Sequence, residues 1–583
     1  MTNLKNLTRL AFLLTLLLNQ LISSAQEINF EWGPANKLKS KKELSPEIIF
    51  ADNNSVYLLR DNALFGSCAI EKVSTDNYES QFRVEISKAL PSAAKRKFDF
   101  ARIINDKIAL ISYEVKSNMY KTYVSLFDLE GQVIEASKEI DEFKQAGKNS
   151  MKGYSQAIVS PSQSYMVLLR EEPAKEKDDN LTIVVKYFDG EFNETSSKKI
   201  EFAYKKAGIN FSKVALDNSG NLIMLCTIDP SKTKNKKEDK KAKKSKDKEA
   251  AIFVLPYDKE ELQEMAIPIK EKAVINSLYF VFDKEFNFYL SGYYGAKSGA
   301  STNFFIAQMN PLTNEVVRNV DVPVKGLKSV QEAQKNTDKK SGGSEGDNNS
   351  QLVGFIKEIY FGEDGSYTVI SELNYMLLRE YKGQVNEIHC SEDIYVSRIS
   401  SEGKLLYTTI VPKLQAITTG ITATTSVNAG GGTSFNSRSG MSSGGGGGIG
   451  GLVAGLAVGL AKSALQNAML EQQMVAAKKS IAFLSHSRVF YGNKVALIFN
   501  DNPKNVKLVK GKVARLRNIA KSNTFMIVID EKGKAEREVI ASNKKSKIIL
   551  MPANYYRVSD KKYIVYSSLP GKGIENIGVM TID

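Results

Sequence analysis

Residues 214–228 constrain the fold more than any other stretch. They read Val-Ala-Leu-Asp-Asn-Ser-Gly-Asn-Leu-Ile-Met-Leu-Cys-Thr-Ile, an apolar run, a four-residue polar turn and a second apolar run. Asp bonds its own downstream backbone and Gly supplies a positive φ, so the centre is a tight turn and the flanks are antiparallel strands. The pattern returns, degraded, at residues 48–59, 100–111, 157–168, 279–290, 359–370, 488–498 and 556–566. A second hairpin follows most copies, most clearly at 124–133, 396–405 and 526–535. The recurring Asp and Gly are turn chemistry in this reading, not calcium ligands.

Two hairpins per unit, repeated about every fifty residues, are four short antiparallel strands per unit, which is the pattern of a propeller blade. The chain resembles the β-propeller superfamily in architecture. It has no Trp-Asp dipeptides, kelch signature or Ser-x-Asp-x-Gly-x-x-Trp box, so no blade family is assigned. The expected fold is all-β, about eight four-stranded blades with seven as the neighbouring count, plus one inserted helix. The last unit lacks an outer strand before the chain ends, and residues 28–32, Ile-Asn-Phe-Glu-Trp, are expected to supply it. That closure pairs otherwise bare strand edges.

The first 25 residues have the form of a secretory signal: Lys5 and Arg9, an apolar run from Leu10 to Leu18, then Ser23-Ser24-Ala25 as a cleavage site. The expected mature protein is a single domain from Gln26 onward, exported to the periplasm or surface of a Gram-negative cell. No Cys follows the cleavage site, which argues against an N-terminal lipid anchor. Three widely spaced cysteines, Cys68, Cys226 and Cys390, make no disulfide framework. Cys68 and Cys226 fall in strand-like runs as small buried apolar groups.

The net charge of +15 is partly local, since residues 231–249 hold ten Lys against four acidic residues. Basic residues concentrated in one loop, without interleaved aromatics, do not point to nucleic acid. With strands A to D in each unit, the A–B and C–D turns share one face of a propeller and the B–C and D–A connections the other. The excursions at 231–249, 325–352, 373–393 and 414–480 all belong to the second face and to neighbouring units. Long loops on a rigid scaffold are where function concentrates.

The segments at 231–249 and 325–352 are too polar to pack and are expected to be disordered. In the first, Lys236, Lys237, Lys240, Lys241, Lys243 and Lys244 form an electrostatic loop, read either as a solvated spacer or as an attraction for an anionic membrane surface, glycan or acidic partner. Residues 414–480 open as a Gly-rich linker and end as a helix candidate. There Gly451, Gly455 and Gly459 line one side, with Leu452, Leu456 and Leu460 beside them. A small-residue stripe lets another surface approach closely. The expected fates of this helix are packing on its own propeller or a partner, self-association into a homo-oligomer, or membrane insertion.

No catalytic set emerges, and no metal or cofactor is expected. His389 and His486 lie in separate segments without a second His or a Cys pair at ligand spacing. His389-Cys390, beside Glu387, Glu392 and Asp393, is the one metal or catalytic cluster worth locating. Residues 440–444, Gly-Met-Ser-Ser-Gly, match the nucleophile-elbow pattern only within low-complexity sequence. Gly445, Gly447 and Gly450 match a dinucleotide fingerprint without a βαβ unit. The expectation is an exported, non-catalytic cell-envelope scaffold that engages a protein partner through the elaborated face. The alternative is a secreted propeller enzyme acting on glycans or peptides with carboxylates at the channel mouth.

Overall fold

Seven antiparallel four-stranded sheets succeed one another along the chain, at residues 47–85, 97–144, 154–205, 209–264, 274–323, 350–420 and 487–542, and an eighth joins the three strands of 550–582 to Ile28–Trp32 and the short Asn36–Lys37. The molecule is an eight-bladed β-propeller. The computed structural model describes residues 28–582 apart from 39–45, 63–66, 94–95, 146–152, 175, 177–178, 230–248, 271–272, 297–300, 325–349, 382–383, 421–482, 507–512, 547 and 570–572. The Lys-rich loop, the 325–349 insertion and the helix candidate with its glycine stripe lie outside the described residues.

Strand A is innermost: Val274–Phe282 of blade 5 touches Ser350–Phe361 of blade 6, and Ser487–Tyr491 of blade 7 touches Leu550–Arg557 of blade 8. Strand D is the rim, as the exposed start of Val133–Lys144 in blade 2 shows. Among the described residues the core divides into eight apolar clusters, one for each seam between adjacent blades. A twisted sheet buries both faces in such a ring, which is why strands such as Leu222–Ile228 are apolar at nearly every position.

The ring closes as the sequence suggests. Ile28–Trp32 pairs antiparallel with Ile574–Ile582, with Ile28 opposite Ile582 and Trp32 opposite Gly578. A Cβ on Gly578 would lie 2.7 Å from the Trp32 ring and 2.8 Å from the Glu31 carbonyl, so closure needs glycine there.

The turns also follow the sequence. Asp128, Asp189, Asp217, Asp283 and Asp530 each accept, through Oδ1, backbone N–H bonds of 2.7–3.0 Å from residues two and four positions on. Gly131, Gly220 and Gly533 hold the left-handed position of these turns, at φ of 84°, 84° and 81°. The Asp residues are thus structural.

One element differs from expectation. Residues 373–381 and 384–393 are strand and not loop. They belong to strands B and C of blade 6, Tyr367–Tyr381 and Gln384–Ile399, paired from Tyr367–Ile399 out to Tyr381–Gln384. Strand D, Leu405–Gly420, continues beside them, so the following excursion starts after Gly420 and not at Leu414. Strand B elsewhere has six to ten residues and here it has fifteen. Seven extra residues raise blade 6 by about 23 Å above its neighbours at a strand rise of roughly 3.3 Å.

Candidate binding face and channel wall

The raised part of blade 6 stands on the face of the B–C and D–A connections, where the sequence places its excursions. At its foot, Leu373, Tyr375, Ile388, Cys390 and Ala416 pack with Tyr293, Phe304 and Val322 of blade 5. Toward blade 7, Leu516 docks on the outer edge of strand D: Leu516 N–H donates to the Leu414 carbonyl (2.9 Å) and Ala416 N–H to the Leu516 carbonyl (3.1 Å). This covers part of an edge that would otherwise be open.

Between blades 6 and 7 lies a buried ion cluster centred on Glu372, which is 0% exposed. Its carboxylate contacts Lys413 Nζ and accepts from Ser391 Oγ (2.8 Å), Ser485 Oγ (2.6 Å) and Asn374 Nδ2 (3.1 Å). His486 Nδ1 lies at 3.2 Å and Lys357 Nζ at 3.7 Å. Although burial opposes ionisation, Lys413 and His486 hold the Glu372 carboxyl well below its ordinary range. Burial draws His486 down to about 4, against the pull of Glu372, so the imidazole is neutral near pH 7. Gln415 completes the joint, receiving Ser485 N–H (3.0 Å) and donating to the Asn500 carbonyl (2.6 Å).

Ser, His and Glu side chains converge here, yet the arrangement is not that of a hydrolase. Ser485 and His486 both bond Glu372 rather than each other, and Ser391, Lys413 and His486 are all buried. A nucleophile needs its base within hydrogen-bond reach and an open path to substrate. The cluster acts as a joint: Ser485, at φ +70°, and His486 lead into strand A of blade 7 directly after the 421–482 excursion, and blade 6 holds both.

His389 and Cys390 lie in strand C of blade 6, and the Glu387 side chain lies outside the described residues. Successive strand residues face opposite ways, so Cys390 joins the blade 5 seam, while Ser391, on the same face as His389, meets Glu372. Among the described residues no three His, Cys, Asp or Glu side chains are arranged to hold a metal ion. Cys68, Cys226 and Cys390 are all buried and no disulfide links them.

The channel wall carries polar residues at one repeated register. Lys213, Tyr279, Glu358 and Arg488 each stand three positions before the end of strand A in blades 4 to 7. Arg488 Nε meets Glu358 Oε2 at 2.8 Å and Tyr555 OH at 3.1 Å. At the turn face, Lys284 of blade 5 reaches Asp560 of blade 8 at 3.4 Å. Beside them Arg557 lies 5.5 Å from the Tyr360 ring, itself stacked on Phe490 at 4.3 Å. Side chains from four blades thus cross that mouth. The polar wall residues went unnoticed in the sequence, although a charged residue breaking an apolar strand, as in Phe-Ser-Lys213-Val-Ala or Val-Ile-Ser-Glu372-Leu, is a visible signal.

No family model matches the chain, and no curated protein matches it. Among solved structures, it is similar to the Dos1 propeller, with 9% identity, 95% of each chain covered and a TM-score of 0.35. Dipeptidyl peptidase 4 of Porphyromonas gingivalis matches with 8% identity over 91% of this chain and 65% of that one, TM-score 0.35. A prolyl endopeptidase matches with 8% identity and a TM-score of 0.32, and the 64% of this chain that aligns spans only 50% of that protein. At this level the likeness concerns the fold, which the strand topology establishes by itself.

Proposed function

We propose that the chain is an exported, non-catalytic scaffold of the cell envelope that holds a protein partner on the face from which blade 6 rises. The raised sheet carries this reading. Its outer residues add nothing to closure of the ring, and they stand where the chain also places its longest excursions. The buried Glu372 joint fixes the sheet's foot to blade 7, giving a rigid platform of the kind that binding surfaces favour. Export rests on the signal-like first 25 residues. The glycine stripe of Gly451, Gly455 and Gly459 is proposed as part of the same contact surface.

The other reading is a secreted enzyme working on glycans or peptides at the channel. It draws on Glu358, the carboxylate of the channel wall, but Glu358 is paired with Arg488 and Glu372 is sealed in its joint. A pair of available carboxylates is what such chemistry requires.

The test is purification of the mature chain from its native envelope in three forms. These are wild type, a deletion of residues 421–482, and a form in which an Asn-Gly turn replaces residues 377–388. A partner retained by wild type and lost from the shortened hairpin, with thermal stability kept, is the expected result. An unchanged set of partners in both variants sinks the proposal.

A further inference from the structure

Lys213 is 8% exposed and belongs to strand A of blade 4, Ile209–Leu216. Its ammonium donates to the Phe280 carbonyl of blade 5 and lies 3.7 Å from the Tyr279 ring centroid and 4.5 Å from that of Phe280. Among the described residues it has no other partner, and no carboxylate meets it. An ammonium offers three N–H donors, and one carbonyl accepts here.

Several comparable buried cations meet a carboxylate: Arg60 with Glu71 and Glu575, Lys206 with Glu171, Lys413 with Glu372 and Arg488 with Glu358. Lys198 is held by three backbone carbonyls and Arg96 by Ser137 and the Tyr123 ring, against the single carbonyl that Lys213 meets. Taking a charge from water without a counter-charge is costly, and an apolar side chain of the same length would fill the seam without that cost. Burial accordingly pulls the Lys213 amine well below its ordinary range. One carbonyl and two aromatic rings are all that the packing of blades 4 and 5 offers this cation among the described residues.

The surroundings suit an anion. Lys213 shares its register with Tyr279 and Arg488, and Lys357 stands one residue before Glu358 on the neighbouring wall. Tyr279, Lys357 and Glu358 retain partial exposure, so solvent reaches this level of the channel. Glu358 is engaged by Arg488, and Glu372 by Lys413. The wall from blade 4 to blade 7 therefore presents Arg488 paired with Glu358, Lys357 beside Glu372, and Lys213 with no carboxylate among the described residues. With those pairs formed, Lys213 leaves an excess of positive charge, and low-dielectric walls focus the potential of such an excess inside a cleft. The Lys284–Asp560 bridge crosses the turn-side mouth, so approach is from the face where blade 6 rises.

We propose that the channel between blades 4 and 7 binds a small oxyanion, a carboxylate or a phosphate, which supplies the counter-charge that Lys213 lacks. The anionic group sits against the Lys213 ammonium, and Tyr279 packs beside it. This site does not depend on the partner-binding role proposed above.

The experiment follows thermal unfolding and calorimetric binding of the whole mature chain with sodium acetate, inorganic phosphate, and sodium chloride at matched ionic strength. Wild type, Lys213→Met and, as a surface control, Lys534→Ala are compared. Acetate or phosphate is expected to raise the wild-type and Lys534→Ala midpoints in a saturable way that chloride does not reproduce. The preferred anion identifies the ligand as carboxylate or phosphate. Lys213→Met should weaken that binding about tenfold or more, the worth of one charge-assisted hydrogen bond. Without added anion, the same variant should unfold at or above the wild-type midpoint, because an unmatched charge is gone. No saturable effect of either anion on wild type, or an equal effect on Lys213→Met, overturns the proposal. Loss of stability in Lys213→Met without anion would also count against it, since it would show that the lysine serves the packing.

Discussion

Two phenylalanines occupy the left-handed position that glycine holds in the sister turns, Phe192 at φ 59° and Phe286 at φ 65°. A bulky L residue is disfavoured there by roughly 1–2 kcal/mol. Phe192 offsets that cost by burial in the seam of blades 2 and 3, where it is 1% exposed. Phe286 is 45% exposed and gains little. Phe286→Gly should therefore stabilise the protein by up to about 1 kcal/mol, whereas Phe192→Gly should cost about 3–5 kcal/mol through lost burial. Denaturant unfolding of the two variants checks the opposite signs.

His486 gives a second prediction at this scale. Its folded-state value of about 4 lies below the ordinary 6.5, so between those limits the unfolded chain binds a proton that the folded chain refuses. Stability from this residue is present above pH 6.5 and is lost as pH falls toward 4, by about 3 kcal/mol in all. His486→Gln should flatten the pH dependence of the melting temperature over that interval. An unchanged slope would show that another group controls it.

Among the elements, closure depends on one strand and one buried ion group. Arg60 of blade 1 donates to Glu575 of blade 8 through both terminal guanidinium nitrogens, at 3.0 and 2.6 Å, while Tyr566 donates to the same carboxylate. Glu575→Gln removes the bidentate anion and leaves Arg60 buried with Glu71 alone. The expected loss is about 3–5 kcal/mol, read as a lower unfolding midpoint. Gly578→Val should release Ile28–Trp32 from the ring, since the added carbons meet the Trp32 ring and the Glu31 backbone. Faster hydrogen exchange confined to residues 28–32 and 574–582 is the expected signature.

For the whole molecule, an apolar cluster at each of the eight seams leads to the expectation that the ring unfolds as one cooperative unit. The Lys-rich segment 230–248 offers trypsin many sites. Cleavage there should leave the fragments associated and the melting temperature nearly unchanged, because blade 4 pairs Leu222–Ile228 with Glu249–Leu255 across it. Release of a stable group of blades after cleavage would contradict a single ring.

Local chemistry made the fold legible. Asp and Gly set the turns, apolar runs of strand length set the sheets, and the missing outer strand of the last unit pointed to Ile28–Trp32. Each depends on residues within about ten positions of one another, apart from the closure, which depends on counting. The height of blade 6 was hidden because its polar and apolar residues alternate less regularly from 373 to 393, where bulges shift the register between Glu372 and Asn374 and between Glu392 and Ile394. The Glu372 joint and the unmatched Lys213 were hidden for a stronger reason. Their partners lie up to 114 residues away, as His486 does from Glu372, and only the stacking of blades decides which buried charge meets another and which meets none.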